Sequence, residues 1–167
     1  MSIELNRRVG ALERLVNRLM IAGGTGIPGG MSARVYNNAN ISINDITDTA
    51  VTFNTENYDD AAFHSTSVNP SRLTVPHDGV YVMMGGIQWD GVNVGRRTIW
   101  IAVNGTKIAH VRAVSLTGDD YYMVVSAMYE MTAGQYAELY VLHNRGSALD
   151  IEADGDFGIW FSIARVR

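Results

Sequence analysis

Between Gly23 and Gly30 the chain reads Gly-Gly-Thr-Gly-Ile-Pro-Gly-Gly, and the sequence obeys different periods on its two sides. A run this rich in glycine, with a proline inside it, ends a helix and supports no strand, so it reads as a hinge. Before it, Leu5, Val9, Leu12, Val16 and Leu19 recur at the alternating spacing of a coiled-coil seam, with valine at a and leucine at d. After it, apolar runs are short, turn residues separate them, and no helical period is sustained. The expected organisation is a helix over 1–22, a linker over 23–31 and an all-β head over 32–167.

The helix is too short to stand alone in water, because nucleation is costly and few hydrogen bonds follow it. Gly10 weakens it by a further ~1 kcal/mol relative to alanine. It needs partners. Valine at a with leucine at d favours two strands by default. However, Arg8-Val9-Gly10-Ala11-Leu12-Glu13 resembles the trimerisation signature Arg-h-x-x-h-Glu, in which the arginine pairs with a neighbour's glutamate. Arg8 and Glu13 are therefore expected beside the five heptad residues in a subunit interface. The competing reading is an amphipathic helix lying on its own head or on another protein. Gly24, Gly26 and Gly29 have the letters of a dinucleotide fingerprint, but that motif needs a strand before it and a helix after it. Here the order is reversed and Pro28 interrupts, so a nucleotide site is rejected.

The composition narrows the function. The chain has 167 residues, 47% of them hydrophobic, which suffices for a packed domain. A net charge of -4 without a basic run leaves no nucleic-acid footprint. The lack of cysteine removes disulfides and thiolate metal sites. Arg18 interrupts the apolar run from Leu15 to Ile21, which argues against a signal peptide. No apolar run reaches the roughly 20 residues that span a bilayer. The expectation is a protein made in the cytoplasm, without membrane insertion.

In the head, strands are expected at Ala33–Tyr36, Ala50–Phe53, Gly79–Trp89, Arg97–Val103, Lys107–Ser115, Tyr121–Met131, Ala137–Asn144 and Phe157–Val166. Asn104-Gly105 is the strongest hairpin signal, since both residues tolerate the positive φ of a type I′ turn. Several strands are apolar on both faces. Val80, Val82 and Met84 alternate with Tyr81, Met83, Ile87 and Trp89, while Tyr140 and Trp160 sit opposite further apolar residues. One face of a monomeric sandwich sheet is ordinarily wet. A second apolar face therefore points to a subunit interface, expected to include Tyr81, Met83, Trp89, Tyr140 and Trp160.

Ala33-Arg34-Val35-Tyr36-Asn37 and Val51-Thr52-Phe53-Asn54-Thr55-Glu56-Asn57-Tyr58-Asp59 resemble the opening of jelly-roll heads of the complement globular-head and tumour-necrosis-factor type. Asn69 to Pro76, Asp78-Gly79-Val80-Tyr81, Ile101 to Gly105, Gly134 to Leu139 and Phe157 to Phe161 continue the pattern, closest to phage and bacterial versions. The resemblance implies a ten-stranded jelly-roll sandwich that forms homotrimers through its inner sheet. Vertebrate members carry a collagen stalk, whose place a coiled coil takes here. That departure fits a structural virion protein of a bacteriophage: a trimeric capsid decoration or head fibre on the virion surface, held to another virion protein through residues 1–30. The alternative is a receptor-binding tip of a tail or fibre that recognises a host cell-surface glycan or protein. Its ligand loops would carry Trp89, Asp90, Asn93, Tyr121 and Tyr122.

Catalytic signals are lacking. His64, His77, His110 and His143 are scattered, with His143 read as a packed or interfacial imidazole, and no nucleophile elbow occurs. A depolymerase would need two carboxylates across a cleft, and nothing in the sequence pairs them. No cofactor is expected beyond calcium, for which Asp59, Asp60, Asp119 and Asp120 are weak loop candidates. Asp150, Glu152, Asp154 and Asp156 imitate half a calcium loop, but position 12 is Phe161. They read instead as the solvent side of an extended segment, with Ile151 and Ala153 turned inward.

Overall fold

A computed structural model describes residues 31–91, 94–114 and 120–167. Leu5, Arg8, Val9, Leu12, Glu13, Val16 and Leu19, and with them the expected helix, lie outside the described residues, as do Asn93 and Asp119. Within them the chain is all-β. The strands are β1 (Ser32–Tyr36), β2 (Ile41–Ile43), β3 (Thr49–Ala50), β4 (Thr55–Asp59), β5 (Arg72–Thr74), β6 (Gly79–Trp89), β7 (Arg96–Val103), β8 (Thr106–Val114), β9 (Tyr121–Met131), β10 (Tyr136–His143), β11 (Leu149–Ile151) and β12 (Ile159–Arg165).

β6 is the hub of a seven-stranded antiparallel sheet. Along one edge it pairs with β9 throughout, from Gly79↔Met131 to Trp89↔Tyr121. Along the other it pairs with β12 and then, at Trp89↔Ile151, with β11. β12 leads on to β1 and β4, and β11 to β2. The five-stranded sheet runs β3-β10-β7-β8, with β5 also on β10.

Among the described residues there are twelve strands where the resemblance implied ten, because the edges are broken into pieces of two or three residues. The expected strand Ala50–Phe53 shows why. Only Thr49 and Ala50 pair with β10; Val51 still donates to Leu139 O, but Phe53 donates to Pro70 O. The chain changes partner midway and loses regular pairing. The Asn104-Gly105 turn forms as its letters require, with φ of 47° and 79°.

The two sheets enclose one core. From the seven-stranded sheet come Val35, Tyr81, Met83, Ile87, Trp89, Phe161 and Ile163; from the other come Ile99, Ile101, Leu139 and Val141. Phe53 and Phe161 stack at 6.2 Å, and Phe63 meets Tyr81 edge-on at 6.2 Å. Burial raises the pKa of the Tyr81 phenol, whose hydroxyl donates to His77 O at 2.7 Å.

Gly85 sets the closest approach of the sheets. A Cβ there would lie 2.6 Å from Leu139 Cδ1, and Leu139 is itself fully enclosed. Gly85→Ala is therefore expected to destabilise the head by about 1–3 kcal/mol through overpacking. Urea unfolding followed by circular dichroism would show a lower midpoint at unchanged slope, whereas an unchanged midpoint would contradict this close approach.

Candidate functional site

The pleat of β6 fixes what the seven-stranded sheet shows to solvent. Odd-numbered residues from Tyr81 to Trp89 face the core, so Val80, Val82, Met84, Gly86 and Gln88 face outward. Their register partners share that face. One row across the sheet reads Met128, Val82, Ala164 and Ser32; the next reads Ser126, Met84, Ser162 and Arg34; the third reads Val124, Gly86, Trp160 and Tyr36. Met128 is 67% exposed, and Met84, Val124 and Tyr122 are also open. These rows contain no carboxylate, and their one charged side chain, Arg34, covers the Trp160 ring at 4.2 Å. The result is a face led by Met128, Val82, Met84, Val124 and Trp160, with Ser32, Ser126 and Ser162 set between them and Glu130 in the next row opposite Val80. Exposed apolar side chains gathered in this way have the character of an interface rather than of a wetted sheet.

Its polar fastening lies at one end. Trp160 Nε1 donates to Tyr122 Oη, and Tyr122 Oη donates to Phe157 O at 2.9 Å. Gly86 makes room for this bridge, since a Cβ there would collide with both Trp160 Nε1 and Tyr122 Oη. Arg34 Nη2 donates to Asp156 O at 2.9 Å, tying the loop before β12 to the same corner.

The structure corrects the expected interface. Tyr81, Met83 and Trp89 are fully enclosed within the single chain and are unavailable to a neighbour. Their bulk is what fills the sandwich. Tyr140 lies on the outward face of the other sheet, stacked on Trp100 at 5.3 Å, where burial and the nearby Glu138 charge raise the pKa of its phenol. Trp160 alone of these five lies on the apolar outer face. The residues that sequence reasoning passed over are Met84, Val124 and Met128; their signal was the weaker, smaller side of a two-faced strand.

Of the expected ligand loops, Trp89 is core, while Asp90, Tyr121 and Tyr122 stand near one end of β6 and β9. Asp120 does not meet Asp59 or Asp60. Both Asp59 carboxylate oxygens accept backbone N–H groups, Oδ1 from Ala61 and Phe63 and Oδ2 from His64. Asp60 Oδ2 accepts from Ser32. Those two acids are thus engaged in shaping their turn. Asp120 instead joins Asp90 and Glu152, with one oxygen of each lying within 4.8 Å of the others. The Gln88 amide donates to Asp120 at 3.0 Å and to Glu152 at 3.3 Å. Three carboxylate oxygens so placed suit a hard divalent cation, and the amide by itself holds two of them, those of Asp120 and Glu152. Glu152 was legible only as a solvent-facing acid, because its partners come from other strands.

The core beside this end is polar. Arg97 and His143 are fully buried next to Trp89, His143 edge-on to it at 5.7 Å. His143 Nε2 lies 2.9 Å from Ile43 O, and its Nδ1 lies 3.3 Å from the Arg145 amide N. It is a packed imidazole. Burial, reinforced by the Arg145 charge and opposed by Asp90, lowers the pKa of Arg97.

No protein-family model matches the sequence, and no curated protein is similar to it. Among solved structures, the crystal structure of murine APRIL at pH 5.0 is similar, with a TM-score of 0.63 at 7% identity. The match covers 82% of this chain and 99% of that one. At this identity the likeness shows the fold alone, a jelly roll of the tumour-necrosis-factor type.

Tyr122→Phe removes the acceptor of the nearly buried Trp160 indole. Stability is expected to fall by about 1 kcal/mol, read as a lower urea midpoint. An unaltered midpoint would mean that the bridge contributes nothing.

Proposed function

We propose that this protein is a homotrimeric structural component of a bacteriophage virion, a capsid decoration or head fibre attached through residues 1–30. The observation that carries the assembly is the exposed apolar face built from Val82, Met84, Val124 and Met128. Apolar surface of this extent in register across β9, β6 and β12 is stabilised by burial against further copies of itself. The jelly-roll fold supports the same reading, and the heptad segment with its trimerisation signature supplies a second self-associating element. The virion address rests on the sequence: a glycine-rich hinge separates a short oligomerising stem from a rigid head, an arrangement suited to holding a head away from a surface.

The test uses light scattering and particle binding on the full chain and on residues 31–167. Both are expected to have three times the chain mass. Only the full chain is expected to rebind particles stripped of it. A head that bound particles as well as the full chain would remove the anchoring role of residues 1–30, and a single-chain mass for both would remove the trimer.

A further inference from the structure

The five-stranded sheet collects cations on its outward face. Trp100 defines that face, because directly opposed residues in neighbouring strands point the same way. Its partners are Tyr140 on β10 and His110 on β8. The same register places Arg112 opposite Thr98, Lys107 opposite Ala102, and Arg72 opposite Glu138, with Arg96 further along β7. The alternate set, Ile99, Ile101, Leu139 and Val141, is buried in the core and confirms the parity.

Among the described residues, little on this face opposes the positive charge. Glu138, the carboxylate in register there, is 5% exposed and already engaged. It accepts Ser71 Oγ at 2.8 Å, Arg72 Nε at 3.3 Å and Tyr140 Oη at 3.1 Å. Asp48 stands before β3, at the opposite edge of the sheet from β8. Arg96, Lys107 and Arg112 form no ion pair among the described residues. Lys107 Nζ rests 3.9 Å from the centre of the Trp100 ring, and the Arg72 guanidinium 3.9 Å from that of Tyr136. The aromatics thus support the cations from beneath. In a chain of net charge -4 this is a marked segregation, and an unopposed cationic face complements an anionic partner.

We propose that this face, along the edge strand β8, docks a linear acidic polysaccharide. Lys107 and Arg112 lie on one strand, about 17 Å apart at ~3.4 Å per residue, brought to one face by the register shift between Ile101 and Ala102, and Arg96 stands one row beyond Arg112 on β7. A row of charges along a single strand suits a single polyanionic chain. A nucleic acid fits less well: Trp100 is only 4% exposed, stacked on Tyr140 and capped by Lys107, so it offers no open ring to a base. The face lies on the opposite side of the sandwich from Met84 and Met128, so the inference holds for one chain or for an assembly.

The full chain would be tested by biolayer interferometry against immobilised dextran sulfate and polygalacturonate, with neutral dextran and charge-matched DNA alongside. Both acidic polysaccharides are expected to bind, more weakly as salt rises, and neutral dextran to give no signal. K107E/R112E is expected to lose at least about tenfold in affinity, while R14E/R18E, which reverses two of the four arginines of residues 1–30, is expected to change it by less than about twofold. If circular dichroism showed the double reversal unfolded, Arg112→Gln would replace it, with an expected loss of about threefold. Native-like affinity in the β8 variants, loss in R14E/R18E instead, equal binding of neutral dextran, or tighter binding of DNA would each overturn the proposal.

Discussion

The register of β6 between β9 and β12 decides what every other surface of the head can do. Its larger residues, Tyr81, Met83, Ile87 and Trp89, fill the space between the sheets, and Gly85 lets Leu139 approach closely enough to close it. A slip of one residue would exchange the two sides of the strand. It would drive Met84 and Gln88 into the core and put Trp89 in water. With the register fixed, Val82 and Met84 face outward, and pairing carries the same polarity to Val124 and Met128 on β9.

The two outward faces of the sandwich then differ in kind. The seven-stranded sheet shows apolar and small residues, with Arg34 folded over Trp160. The five-stranded sheet shows cations lying on aromatic rings, with its carboxylate Glu138 held by Ser71, Arg72 and Tyr140. The acids gather elsewhere, at the end of β6, where Gln88 bridges Asp120 and Glu152 beside Asp90. Apolar surface is suited to a partner of the same composition, and unopposed charge to one of opposite sign. The fold keeps these two kinds of surface on opposite sides of one core.

Much of the architecture was legible because it is written in local pattern. The alternation in Gly79–Trp89 and Tyr121–Met131 gave both strands their observed bounds, and Asn104-Gly105 gave its turn. The edge pieces β2, β5 and β11 were not legible, since three residues of pairing carry no periodic signal. Neither was the sidedness of β6. Alternation reveals that a strand has two apolar faces, but only the facing sheet decides which is enclosed, and the aromatic weight pointed to the wrong one. The acid cluster was hidden for a similar reason: Asp90, Asp120 and Glu152 come from separate segments and meet only through sheet pairing.

The central claim is that the Met84–Val124–Met128 face holds copies of the chain together. Its most direct test is the solution mass of residues 31–167 carrying Met128→Glu, which removes the heptad segment as a second source of association, measured by light scattering beside the same residues unaltered. A charge buried at the interface without a partner would be strongly destabilising, so the variant is expected to have single-chain mass while keeping its β-sheet circular dichroism. An unaltered multimeric mass for Met128→Glu, or a single-chain mass for the unaltered head, would contradict the account.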